Sequence, residues 1–251
     1  MIVETIQHLL TPAPVFIKKM GYVREAIAIE ARYKRCGKQW QPHLDKCKSL
    51  ILKKAEKLKP GSNIMILGSG GLHDVPVKEL LEREHNITCV DIVHLPQIMK
   101  ANRNLTFLNR DITGLIEPVY KAVNQGTKVQ ADPEWELLQT PDLIISLNLL
   151  SQLAMKLVDY ADYHGEELGI QFSDNALKAH VNWLKKQATK TLLISDITRD
   201  YFQDRSLLET VSALPKLGLH DPTETWVWDI APEGEADQKI SIKHNVGAWC
   251  L

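Results

Sequence analysis

The sequence predicts an α/β fold: a mainly parallel sheet between two layers of helices, closed by a C-terminal antiparallel hairpin and preceded by N-terminal helices. Three observations carry that prediction. Short apolar runs of strand length recur with helical segments between them, the pattern of parallel strands buried on both faces. The first run, Asn63-Ile-Met-Ile-Leu67, enters a glycine turn, Gly68-Ser-Gly-Gly71, and the second stops at the acidic Asp91. Near the end of the chain, 225–230 and 239–244 are strand-like and joined by Pro-Glu-Gly-Glu-Ala-Asp, too short and polar for a crossover helix, so they pair as a hairpin.

Each element has its own justification. Residues 15–58 read as helices because Ile17, Met20, Val23 and Ile27, and then Leu44, Cys47, Leu50 and Ile51, recur at helical spacing. Pro42 is expected to open the second helix or kink the chain before it. Lys59-Pro-Gly-Ser62 then breaks the helix, which divides the chain into a helical extension or lid, 1–58, and a cofactor-binding domain, 59–251. Strands are predicted over 64–67, 87–90, 105–108, 143–147 and 191–194, the last stopping at Ser195-Asp196. Helices are predicted over 75–84, 149–160 and 173–188, with Ser173 as the N-cap of the last. The polar stretch 114–140 shows no clear period.

Composition narrows the function classes. With 251 residues, 44% of them hydrophobic, the chain can bury a sizeable core. Its 30 Lys and Arg balance 31 Asp and Glu, so there is no strong nucleic-acid signal and no field toward an anionic membrane. Cys36, Cys47, Cys89 and Cys250 contain no CxxC pair, which points to reduced thiols and away from a metal or disulfide framework. The first residues lack the basic start and apolar run of a signal peptide, and no segment has the length of a membrane span. A cytoplasmic protein is the expectation.

An apolar strand, a glycine turn, a helix and a strand ending in a carboxylate together build a site for an adenosine-containing cofactor. The order of elements from about residue 60 onward resembles the class I S-adenosylmethionine-dependent methyltransferases, whose Rossmann-like, seven-stranded sheet ends in an antiparallel hairpin. The resemblance implies S-adenosylmethionine as cofactor, with Gly68, Ser69, Gly70 and Gly71 against its methionine part, Asp91 and Ile92 at the ribose, Asp111 and Ile112 at the adenine, and Asn148 beneath the reactive methyl. Two positions depart from the family pattern. Ile66 stands two residues before the first glycine, where an acidic residue is usual, and Leu72 stands where a third glycine is common. Asp74 can supply a carboxylate from nearby.

Several of these residues keep a second reading. The glycines also suit a bare strand-to-helix turn, Asp111 a turn in which the aspartate bonds its own backbone, and Asn148 a helix cap. Arg32, Tyr33, Trp40 and His43 gather cationic and aromatic groups in the N-terminal helices, as a lid binding the acceptor or as simple packing. Arg199 can hold an anionic group or pair with Asp200 or Asp204. If the acceptor needs a base, His43, Asp196 and Asp200 are the candidates. His244 alternates with Ile240 and Ile242 and reads as an interior histidine. The expected activity is methyl transfer to an O or N acceptor, most simply a small molecule. The alternatives are a non-catalytic methyltransferase-like binding scaffold and an NAD-binding oxidoreductase, whose turn would read GxGxxG.

Overall fold

A computed structural model of the chain describes residues 2–129, 137 and 140–251. Three helices come first: α1 (Ile2–Leu10), α2 (Val15–Lys19) and α3 (Tyr22–Ala55). Then β1 (Asn63–Leu67), α4 (Val77–Glu82), β2 (Asn86–Asp91), α5 (Pro96–Ala101), β3 (Thr106–Asn109), α6 (Ile116–Gln125) and β4 (Leu143–Leu147) alternate. A single 3-10 turn (Leu150–Gln152), α7 (Met155–Tyr163) and α8 (Phe172–Lys186) lead into β5 (Lys190–Gln203), β6 (Ser206–Ser212), β7 (Glu224–Ala231) and β8 (Ile240–Cys250). The sheet order is β3-β2-β1-β4-β5-β8-β7, with β6 paired to β5. The first five strands are parallel, while β8 runs antiparallel to both β5 and β7. This is the expected three-layer α/β sheet, parallel with an antiparallel C-terminal end, with β6 added.

Alternation along the strands explains the two cores. Met65 and Leu67 of β1 face one hydrophobic cluster with Val90, Ile144, Leu157 and Val181, whereas Ile64 and Ile66 face the other with Leu80, Cys89, Leu143 and Ile145. The helix α3 joins both. Its Val23 and Ile27 belong to the first cluster and its Cys47, Leu50 and Ile51 to the second. At 1.5 Å per residue it is about 50 Å long, enough to pass over the sheet edge from one face to the other.

Four expectations are corrected. Pro42 neither starts nor breaks a helix but lies inside the 34 residues of α3. A proline there forfeits one backbone hydrogen bond, and the burial of Trp40, His43, Leu44 and Cys47 around it offsets that loss. The 149–160 helix is a 3-10 turn followed by α7, and Ser173 lies inside α8, whose N-cap is Gln171 and has no side-chain cap bond. The fifth strand does not stop at Ser195-Asp196: it runs on to Gln203 because its far half pairs with β6 and β8. Both α1 and β6 were missing from the sequence reading; β6 is exposed along its whole length, so it carries no buried stripe to read. Of the 114–140 stretch, 116–125 is helical, and 130–136, 138 and 139 lie outside the described residues.

Ion pairs of Arg32, Arg35, Lys46 and Lys53 tie α3 to the C-terminal strands and their turn. Glu235, in the β7–β8 turn, accepts from Arg35 Nη2 at 2.6 Å and Nε at 2.9 Å, and from Arg32 Nε at 3.3 Å. Lys46 pairs with Glu224. Trp40 Nε1 donates to the Ile230 carbonyl at 2.9 Å. The Arg35 guanidinium holds the Glu235 carboxyl down at about 2, from an ordinary 4.5. A depressed carboxylate pKa contributes stability that is complete above the unfolded value and lost as pH falls through the folded one. We therefore expect the melting-temperature gap between wild type and Glu235→Gln to be widest above pH 4.5 and to narrow as pH is lowered toward 2.

Candidate active site

A cavity of about 520 Å³ opens at the carboxyl ends of β1, β2 and β4. It lies where the strand order reverses between β1 and β4, the place where open α/β sheets collect ligands. The helix α3 roofs it with Glu30, Arg32, Trp40 and His43, and β5, β7 and β8 close the far end.

One half is built from the glycine turn and the strand ends. Gly68 has φ +78°, and a Cβ there would meet the Leu147 carbonyl at 2.7 Å, so glycine is required by both conformation and space. Gly70 has φ +45° with open space before it, which leaves its backbone accessible from the cavity. Asp91 Oδ2 accepts from Gly70 N–H at 2.8 Å and Oδ1 from Ile92 N–H at 2.7 Å. The turn and the carboxylate are thus one unit. Burial raises the Asp91 pKa, against the lowering effect of these backbone bonds. Ser69 Oγ bonds His94 Nε2 at 3.0 Å, and His94 Nδ1 bonds Asn109 Oδ1 at 2.6 Å, which anchors the turn to β3. Beyond Gly71, Glu30 bonds His73 at 2.7 Å and Tyr33 stacks on the His73 ring at 3.5 Å. Tyr33 thereby braces the roof, and it is absent from the cavity lining.

Asp111 lines the cavity beside Ile112, yet its carboxylate is occupied by its own loop. It accepts from Thr113 N–H at 2.8 Å, Thr113 Oγ1 at 2.6 Å and Ile116 N–H at 2.8 Å, capping α6. Asp74, in contrast, is held by one side chain, the Asn148 amide, whose Nδ2 donates to Oδ2 at 2.8 Å. Burial raises the Asp74 pKa, and no cation pairs with it within 4 Å among the described residues. Asn148 itself has φ 51°, a left-handed conformation uncommon outside glycine but tolerated by Asn. Its backbone carbonyl accepts from Gln152, and its Oδ1 is buried without a partner.

The other half is aromatic. His43 stacks on Trp228 at 4.0 Å with 4° between the rings, and Trp226 Nε1 donates to His43 Nδ1 at 3.0 Å. An indole nitrogen can only donate, so Nδ1 accepts from Trp226, while Nε2 lies 3.1 Å from the Asn148 amide. Burial pushes the ring down to about 3, which keeps it neutral. With Nδ1 taken by the indole and Nε2 against the Asn148 amide, His43 has no lone pair open to the cavity with which to act as a base. The same fact bears on a metal. His43, Cys47 and Asp74 bring ligand-type atoms within 4.8 Å of one another, but the Asn148 amide lies 3.1 Å from His43 Nε2 and 2.8 Å from Asp74 Oδ2, and burial drives the Cys47 pKa well up, keeping a thiol rather than a thiolate. The trio does not fit a metal centre.

The β5 residues complete the cavity. A bulge between Asp196 and Thr198 shifts the register against β8, which re-aims side chains as bulges do and brings Asp196 and Arg199 to one side of the strand. Arg199 Nε donates to Asp196 Oδ2 at 2.9 Å and Nη2 to Ser151 Oγ at 3.2 Å; Ser151 also donates to Asp196. Arg199 therefore pairs with Asp196, not with Asp200 or Asp204. Asp200 is absent from the cavity lining and is bonded by Thr210 at 2.7 Å and Asn245 at 2.8 Å. His244, read from sequence as interior, lines the cavity, with Nδ1 3.5 Å from Asp196 Oδ2. Strand alternation put it beside Ile242 correctly; that this face belongs to a cavity depends on α3, which strand alternation could not place.

No family model matches the chain, and no curated protein matches it in sequence. Solved structures do resemble it. A protein from Rhodobacter sphaeroides assigned as a Zn-dependent alcohol dehydrogenase is 14% identical, with TM-score 0.31, over 57% of this chain and 44% of that one. Coclaurine N-methyltransferase, bound to N-methylheliamine and S-adenosylhomocysteine, is 14% identical with TM-score 0.36, over 62% of this chain and 36% of that one. In these two cases the chain spans less than half of the other protein. The 1,6-didemethyltoxoflavin-N1-methyltransferase of Burkholderia thailandensis, with 1,6-didemethyltoxoflavin and S-adenosylhomocysteine bound, is 11% identical with TM-score 0.41, over 89% of each chain. At such scores the reading of the site rests on this chain's own residues.

Proposed function

We propose that this cleft binds S-adenosylmethionine and directs its methyl group to an O or N atom of a small-molecule acceptor. The observation that carries the reading is the pairing of a half-buried carboxylate with no cation within 4 Å among the described residues, Asp74, and a buried amide oxygen with no partner, Asn148 Oδ1. Such a pair is costly unless a ligand satisfies it, and a primary ammonium does so. The methionine end of the cofactor carries one. Asp74 would stand in for the acidic residue that Ile66 replaces. Asp91, fixed against Gly70, would accept from the two ribose hydroxyls, and Ile92 and Ile112 would flank the adenine.

The same features disfavour NAD. A pyrophosphate needs backbone N–H groups at a helix N-terminus directly after the turn. Here α4 begins only at Val77, Leu72 fills the third-glycine position with φ 62° and its side chain buried, and Asp74 and Asp91 put negative charge beside the turn. When bound, the sulfonium supplies an already activated methyl group, so the protein's work is alignment and exclusion of water. The Gly68–Gly71 turn, Asp74 and Asp91 orient the cofactor, while Trp40, Trp228 and the α3 roof shield the far half. Residues 1–58 would act through α3 as this roof.

Isothermal titration calorimetry tests the proposal. We expect S-adenosylmethionine and S-adenosylhomocysteine to bind at micromolar Kd, about −8 kcal/mol, and NAD not to bind. Binding of NAD alone would overturn the reading, and binding of none would leave a scaffold. Asp74→Ala should weaken S-adenosylhomocysteine by about tenfold or more, a charged hydrogen bond being worth roughly 1.5–3 kcal/mol.

A further inference from the structure

The acceptor half of the cavity holds the groups that could take a proton, and the hydrogen bonds sort them. His43 has no lone pair open to the cavity, because the Trp226 indole occupies Nδ1 and Nε2 lies against the Asn148 amide. Asp196 lies 6% exposed and already binds Ser151 and Arg199. Asp200 faces Thr210 and Asn245 instead of the cavity. His244 is different. Its Nδ1 lies 3.5 Å from Asp196, its ring lines the cavity, and its Nε2 has no hydrogen-bond partner among the described residues.

We propose that His244 takes the proton from an acceptor O–H or ring N–H as the methyl group is transferred, and that Asp196 is the residue that positions it. This rests on the methyl-transfer reading above. The Asp196 carboxylate, 3.5 Å from Nδ1, favours the hydrogen there and leaves Nε2 as the bare nitrogen. The groups around the ring agree. Burial brings its pKa to about 4, with Asp196 and Asp200 opposing and Arg199 reinforcing that shift, so the ring is neutral and its lone pair free at neutral pH. Trp228 meets it edge-on at 5.8 Å and brings an indole N–H that is buried without a partner, a donor for a second polar atom of the acceptor. In the step, the acceptor's O–H or N–H bond breaks, its electron pair forms the new bond to the methyl carbon, the sulfur–methyl bond breaks to leave a neutral thioether, and the proton ends on Nε2. Arg199 pairs with Asp196, and Arg32 shares the Glu235 carboxylate with Arg35. The acceptor class that fits the aromatic half of the cavity is a flat molecule with a phenolic or enolic O–H or a ring N–H.

The tautomers test this without a known acceptor. In protein labelled with ¹⁵N-histidine at pH 7, with signals assigned through their loss in His43→Gln and His244→Gln, His244 should show a protonated Nδ1 and a bare Nε2. Asp196→Asn, which can donate to Nδ1, should move the His244 proton to Nε2 and leave His43 unchanged. A protonated Nε2 on His244 in the wild type, or an unchanged His244 in Asp196→Asn, would overturn the proposal. A second readout follows labelled methyl transfer from S-adenosylmethionine into a small-molecule extract of the source cells. There His244→Gln should lose about 100-fold or more while binding S-adenosylhomocysteine as the wild type does; undiminished labelling would also overturn it. Calorimetry separates the two levels: loss of S-adenosylhomocysteine binding by the wild type sinks the methyl-transfer reading, whatever the tautomers show.

Discussion

Gly68→Ala should lower the melting temperature by roughly 5–15 °C. Two costs combine. A side chain at φ +78° carries a left-handed penalty of about 1–2 kcal/mol. The new Cβ would also sit 2.7 Å from the Leu147 carbonyl and 2.9 Å from Leu149 Cβ. Neither neighbour can swing aside, because Leu147 is a central strand residue whose β4 pairs with both β1 and β5. Forcing such a contact adds about 1–3 kcal/mol. Gly70→Ala is the control. With open space around it, its added methyl points at nothing in the protein, so stability should fall by only about 1–2 kcal/mol while cofactor affinity drops. Differential scanning calorimetry beside ligand titration separates the two variants.

Asp91→Ala should weaken S-adenosylhomocysteine by about 100-fold or more, while the apo protein melts within a few degrees of wild type. Two charge-assisted hydrogen bonds to ribose hydroxyls are worth about 3 kcal/mol or more together, and every 1.4 kcal/mol is about tenfold. The apo cost is small because the carboxylate is itself desolvated, which raises its pKa. Removing it relieves that burden while freeing the Gly70 and Ile92 N–H groups, which face a water-accessible cavity. Asp91→Asn should lie between, since its amide oxygen can still accept from Gly70 but its nitrogen cannot accept from a hydroxyl. Affinity equal to wild type in Asp91→Ala would remove the residue from the site.

The fold was legible where burial is two-sided. β1, β2 and β4 announce themselves because their runs are apolar but for Thr88 and Ser146, and the C-terminal hairpin because its linker cannot hold a helix. β6 and the outer half of β5 were not legible, since they are stabilised by pairing with each other and with β8, a long-range fact without a local pattern. Among the site residues, Gly68 and Asp91 follow from chain order alone. His43 was noticed for its type, but its role turns on Trp226, 183 residues away. Asp196 and Arg199 looked like a loop cluster, and only the bulge in β5 brings them to one face. His244 looked like an ordinary interior histidine because a strand pattern shows which residues share a side, not whether that side borders solvent, core or cavity.

The most direct test of the central claim is a crystal structure of the protein grown with S-adenosylhomocysteine. The account predicts ribose hydroxyls at hydrogen-bonding distance from Asp91, the ammonium between Asp74 and Asn148 Oδ1, and the sulfur turned toward the half lined by Trp228 and His244. A ligand bound elsewhere, or an ammonium that leaves Asp74 and Asn148 Oδ1 unpartnered, would contradict it.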